Sequence, residues 1–212
     1  MTAATPAGIT ARPVASRIMI IRHAEKPETD GAPFGVAEDG TPGSDGGKNM
    51  LLVRGWTRAG ALAALFAPAR GPLQSPDLET PQHLYACKIE DDGSRRPHDT
   101  LVPLSRKLGV DIDASFGQDD FARMIGVATG QTGVVLVCWE HKRIQEITRL
   151  IPRHGNEPPD QYHWPGKRFD VVFVFTLDGD KYRFSQVPEM LLDGDSDEPI
   201  DVHKIKADDG DA

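Results

Sequence analysis

Ile18-Met19-Ile20-Ile21-Arg22-His23-Ala24-Glu25-Lys26-Pro27-Glu28 is the stretch from which the rest of the chain can be organised. Its first four residues are large and apolar, three of them β-branched, and read as a buried strand. A guanidinium, an imidazole and a carboxylate follow with no turn residue between them. The ends of strands in α/β sheets are where such folds place their chemistry. The stretch therefore predicts both a sheet and the edge of that sheet at which to look for a site.

Working outward, residues 27–49 hold six glycines and three prolines among acids and small polar residues, a composition that builds no core element. A loop of this length beside a strand end reads either as a lid or binding loop next to the site or as a flexible insert. Residues 51–66 predict a helix, with Leu62, Leu65 and Phe66 on one face and Pro68 beyond its end. Its charges, Arg54 and Arg58, read as solvent-facing. His83 to Cys87 is a short second strand. A helix then opens in Ser94-Arg95-Arg96-Pro97-His98-Asp99-Thr100 and runs through Leu101, Leu104 and Leu108 to a stop at Gly109. Residues 116–129 predict another helix, with Asp119 and Asp120 near its start and Gly130 closing it.

Val134 to Trp139 is the clearest strand, apolar on both faces and so expected at the centre of the sheet. It runs into Glu140-His141 and a helix carrying Ile144, Ile147, Thr148 and Ile151 on one side. After a loop over 158–167, two alternating runs, 170–177 and 181–187, are joined by Asp178-Gly179-Asp180, a hairpin signal. The expected order is β-loop-α-β-α-α-β-α-β-β. It predicts an α/β three-layer sandwich: a mostly parallel central sheet flanked by helices, with a C-terminal antiparallel hairpin. We expect a flexible tail over 1–16, one domain over 17–190 and an acidic tail over 191–212.

Charge and composition narrow the function. Of the 32 acids, nine fall in residues 189–212 against two lysines there, so the net charge of −8 belongs almost wholly to the tail. A balanced body with no basic stripe disfavours nucleic acid. The apolar fraction is 39% and the mean hydropathy −0.39, and no run approaches a membrane span. The first 17 residues lack an apolar secretory core. Cys87 and Cys138 sit in separate apolar runs outside any C-x-x-C pair, so both are expected reduced, in a cytoplasmic protein. The sequence is silent on oligomeric state.

If the sheet is parallel at these strands, Arg22, His23, the Arg95-Arg96 pair and His141 converge on one edge. Guanidinium forks pair with phosphate oxygens, and the helix start at His141 adds free N–H groups. Neighbouring arginines disfavour imidazolium and keep a histidine nucleophile neutral. Nucleophilic attack on phosphorus further needs a carboxylic acid to protonate the leaving oxygen. Glu140 ranks first for that role, ahead of Asp119, Asp120 and Glu25. No ligand-spaced metal set is evident, and no cofactor is expected.

Several short patterns occur in one order: Arg22-His23, Leu51-x-x-x-Gly55-x-x-Arg58-Ala59, Ser94-x-Arg96-x-x-x-Thr100, and His141 after a central strand. Together they resemble the histidine phosphatase superfamily, the phosphoglycerate-mutase-like phosphatases. The resemblance implies His23 as nucleophile and Arg96, rather than Arg95, as phosphate ligand. It implies a metal-independent phosphomonoesterase, forming a phosphohistidine and acting on a small phosphorylated substrate. Two departures matter. Ala24 stands where many members have Gly, and the chain lacks the Asn that mutases carry shortly after their first histidine. Both this and the insert lean away from a phosphomutase. The alternatives are a phosphomutase and a catalytically weak phospho-ligand binding module of the same fold.

Overall fold

The structure, a computed structural model, describes residues 14–28, 33–91 and 93–204. The elements in chain order are β1 (Ala15–Arg22), α1 (Val53–Phe66), β2 (His83–Cys87), α2 (Arg96–Leu108), β3 (Ile112–Phe116), α3 (Phe121–Thr129), β4 (Gly133–Trp139), α4 (His141–Leu150), β5 (Val171–Asp178) and β6 (Lys181–Pro188). The six strands form one sheet in the order β3-β2-β4-β1-β5-β6. β3, β2, β4 and β1 run parallel, β5 is antiparallel to β1, and β6 returns antiparallel to β5.

The pleat explains why β1 and β4 are apolar throughout. Ile18 and Ile20 face one core cluster with Val135, Val137 and Phe173, while Met19 and Ile21 face another with Leu136, Cys138 and Val172. The first cluster is covered by Met124, Ile125, Ile144 and Ile147 of α3 and α4, the second by Leu62, Phe66, Leu101 and Leu104 of α1 and α2. Strands buried on both faces lose the polar alternation of an exposed sheet. The three-layer arrangement is the one the sequence predicts, down to the terminal hairpin, which turns at Gly179 with φ of 69°.

Three places differ from expectation or add to it. The pattern over 116–129 predicts one helix, but Phe116 ends β3 and the helix begins at Phe121. Ile112, Ala114 and Phe116 do alternate with Asp113 and Ser115; five residues at a sheet edge are too few for that rhythm to stand out. Residues 33–49 fold onto α1 and the start of α2. Val36 bridges Pro42 and Leu51, its carbonyl accepts from Trp56 Nε1 at 3.0 Å, and Asn49 O accepts from Arg95 N at 3.0 Å. The acidic segment after β6 is described as far as Lys204 and lies on the body, with Ile200 and Val202 buried in the core. Residues 1–13 and 205–212 of the expected tails lie outside the described residues. Among the described residues no helix is long and apolar enough to cross a membrane. Both cysteines are free thiols and buried.

Candidate active site

β1 and β4 are parallel neighbours, with Arg22 opposite Trp139. The helices that follow them, α1 and α4, leave for opposite faces of the sheet. Such a reversal, at the carboxyl ends of neighbouring parallel strands, is where open α/β sheets hold ligands. His23 N–H donates to Trp139 O at 3.1 Å, carrying the ladder one residue past β1. From β4 the chain passes through Glu140, the residue that starts α4, and into His141 on its first turn.

His23 is 1% exposed. Its Nδ1 lies 2.7 Å from Ala24 O, and a carbonyl only accepts, so Nδ1 carries the ring proton. The lone pair is thereby assigned to Nε2. Burial first, then the charges of Arg96 and Arg22, hold its pKa well below the usual imidazole value, with a smaller contribution from His141. The ring is neutral across the physiological range.

Arg22 is also 1% exposed. Its Nη1 donates to Gly166 O at 2.5 Å and Arg168 O at 3.1 Å, and its guanidinium carbon stands 3.8 Å from the ring centre of Phe169. Loop 165–169 thus fixes the guanidinium through neutral groups. Trp164 packs on Phe173 and donates to Arg168 O at 2.9 Å.

The Ser-x-Arg-x-x-x-Thr pattern has a physical reason. Ser94 Oγ accepts from Arg96 Nε at 2.8 Å and aims the side chain. Thr100 Oγ1 donates to Arg96 O at 2.7 Å and accepts Ala24 N–H at 2.9 Å, stitching α2 to the backbone just after the nucleophile candidate. Arg95 is exposed and paired with Asp99. Burial lowers the pKa of Arg96, while Glu140 opposes that shift, which places the Glu140 carboxylate in the field of this guanidinium.

The acids separate by their partners. Glu25 is held by Arg58, with Nε 3.1 Å from both carboxylate oxygens and Nη2 2.9 Å from Oε1, and so is committed elsewhere. Asp119 is exposed and pairs with Arg143 at 2.6 Å. Asp120 is exposed and accepts Gly117 N–H at 3.3 Å. Glu140 Oε2 accepts from Gln118 Nε2. Of the four, Glu140 alone is tied electrostatically to Arg96. The structure brings His23, Arg22, Arg96, His141 and Glu140 to one sheet edge. His83 and His154 meet main-chain oxygens, and His203 meets Glu157.

Sequence reading missed two contributors. Burial first, then the charges of Arg96, Arg22 and Lys142, lower the pKa of Lys26. Arg58, expected in solvent, is 2% exposed. The signal was present: Arg58, Leu62 and Leu65 share one helical stripe. The Leu-x-x-x-Gly-x-x-Arg-Ala pattern is the footprint of α1 on Glu25. Leu52 N–H donates to Glu25 O at 3.0 Å, and a Cβ on Gly55 would stand 2.5 Å from that oxygen, so only glycine fits. Among the described residues no group of three or more His, Cys, Asp or Glu side chains could hold a metal ion.

No family model matches the sequence, and no curated protein matches it. Among solved structures, the chain path is similar to that of the protein histidine phosphatase SixA complexed with tungstate. That match has 13% identity over 82% of this chain and 97% of the other, and a TM-score of 0.48. A second similar structure is a mycobacterial hydrolase, at 12% identity over 81% and 88% of the two chains, with a TM-score of 0.41.

Proposed function

We propose that this protein hydrolyses phosphomonoesters through a phosphohistidine on His23. The observation that carries the reading is the state of that ring: buried, neutral, with Nδ1–H bound to Ala24 O and Nε2 left as nucleophile among two guanidiniums.

The phosphate dianion binds at the carboxyl ends of β1 and β4 and meets Arg22, Arg96 and His141. Guanidiniums held by carbonyls and hydroxyls keep their charge and geometry before substrate arrives, which is how such sites stabilise charge as it redistributes in the transition state. His23 Nε2 attacks phosphorus in line with the ester oxygen. A P–N bond forms, the P–O bond breaks, and Glu140 gives its proton to the departing alkoxide. The positive end of the α4 dipole adds to the potential over the phosphoryl oxygens. In the second half, Glu140 as carboxylate takes a proton from water, which attacks phosphorus and frees His23 and inorganic phosphate. Gln118, donating to Oε2, leaves Oε1 to carry the transferred proton.

A second reading follows from the dependence of proton transfer on Glu140. If it does not transfer protons, the same pocket is a phospho-ligand binding module with little turnover. p-Nitrophenyl phosphate separates the two. Turnover abolished by His23→Ala supports the enzyme. Phosphate binding by calorimetry with no turnover in the wild type supports the module.

A further inference from the structure

We propose that the segment following β6 is a positioning element of the phosphate site, in which Asp195 acts through Arg58 and Glu25 while Glu198 acts through Arg168 and Arg22. The inference rests on the reading of His23 as nucleophile and adds a part of the chain that neither the motifs nor the fold brings into that reading.

The segment grips the Arg22–Glu25 stretch from both ends. At one end Asp195 receives Arg58 Nη2 on Oδ1 at 2.6 Å and Nη1 on Oδ2 at 3.1 Å, and Arg58 donates to Glu25 from its other edge. Asp195 is itself locked, because Oδ2 also accepts the N–H groups of Leu191 at 2.8 Å and Leu192 at 2.9 Å. At the other end Arg168 Nη2 donates to Glu198 O at 2.7 Å, and Arg168 O accepts Nη1 of Arg22. Asp170 ties the two ends, accepting Arg168 Nε at 2.7 Å on one oxygen and Ser196 N–H at 2.8 Å on the other. Gln186 pins the far side through a reciprocal pair with Ile200, both bonds at 2.9 Å. Between the two grips lie His23 and Ala24 alone.

Energetics argue against mere packing. The side chains of Arg58 and Asp195 are 2% and 3% exposed, and a buried ion pair is often less stable than apolar residues of the same size. Its best-attested use is to fix one register. The chain also accepts a left-handed residue that is not glycine, Met190 with φ of 51°, to swing from β6 into the segment. What this fixes is the carbonyl of Ala24 and hence the His23 ring, where a displacement of about 1 Å can cost about 100-fold in rate.

The test uses the full chain with Asp195→Ala and Asp195→Asn, assayed well below each melting temperature. Asp195→Ala is expected to lower kcat on p-nitrophenyl phosphate about tenfold with KM within about twofold, because positioning affects the transition state more than binding. Asp195→Asn, which keeps one acceptor for Arg58, falls between. A readout independent of turnover is the long-range proton–nitrogen spectrum of His23. The wild type shows the single Nδ1–H tautomer, and Asp195→Ala shows a tautomer mixture. A folded Asp195→Ala with wild-type kcat and an unchanged His23 tautomer overturns the proposal, however far its melting temperature falls. Should that variant not fold, Asp195→Asn is read in the same two ways, and wild-type values in both overturn it. A wild type without turnover sinks the phosphatase reading instead, and the tautomer then decides the positioning role by itself.

Discussion

Arg58 bonds Glu25 and Arg96 lies in the field of His23 two residues earlier, yet their surroundings are opposite. Arg58 is buried among Glu25, Glu189 and Asp195, so its charge is cancelled inside the protein. Arg96 is aimed by the Ser94 hydroxyl, a neutral group that fixes a guanidinium without neutralising it. Arg22 is held by main-chain carbonyls and the Phe169 ring. Residue type and burial do not tell such arginines apart. The acceptor does: buried carboxylates make Arg58 a strut, and under the proposed function Arg96, aimed by a hydroxyl, is the arginine that receives the phosphate.

That contrast sets the order of expected effects. The largest is at the ring between the two environments. His23→Ala should lower kcat on p-nitrophenyl phosphate by about 10⁴-fold or more, since loss of a covalent nucleophile removes the pathway itself. Arg96→Ala should cost about 10² to 10³ in kcat/KM, and Arg96→Lys should not restore it, because an ammonium lacks the fork. Its melting temperature should barely move. Arg58→Met should do the reverse, destabilising by about 3 to 5 kcal/mol by leaving buried carboxylates without their cation. Denaturant titration checks this, and equal stability losses in Arg96→Ala and Arg58→Met would erase the distinction.

The pH effects are smaller and have opposite signs at the two ends. His23 has a depressed pKa, so below about pH 6.5 the unfolded chain binds a proton that the folded one refuses. Stability from this ring is therefore lost as pH falls through that value, while the nucleophile stays neutral. kcat/KM should then show no acid limb near 6.5. Glu189 is pushed up to about 8 by burial. Between about 4.5 and 8 the unfolded chain ionises this acid and the folded chain keeps it protonated, so stability falls as pH rises through the window. Glu189→Gln should gain on the wild type in thermal melts between pH 5 and 8; a constant difference would contradict the assignment.

Much of the receptor side was legible in the sequence, because its parts are local. Apolar runs at 18–21 and 134–139 mark the strands, and the residues after each run inherit the strand end. Ser94, Arg96 and Thr100 fall within one helical opening. The strut side was not legible, because its parts are distant. Arg58 reads as a solvent charge until Glu189 and Asp195, more than 130 residues later, arrive to bury it. Ile200 and Val202 are two apolar residues among acids, too short a pattern to signal packing, and the same brevity hid β3. The choice among Glu140, Asp119, Asp120 and Glu25 needed partners in space, since all four are carboxylates near a strand or helix end.

The central claim, a phosphoryl group carried on His23, is most directly tested by rapid acid-free quench of the full chain during turnover of a ³²P-labelled phosphomonoester. The account predicts a label on His23 that survives alkali, is lost in acid and is absent from His23→Ala. Turnover with no label on His23, together with a His23→Ala variant as active as the wild type, would contradict it.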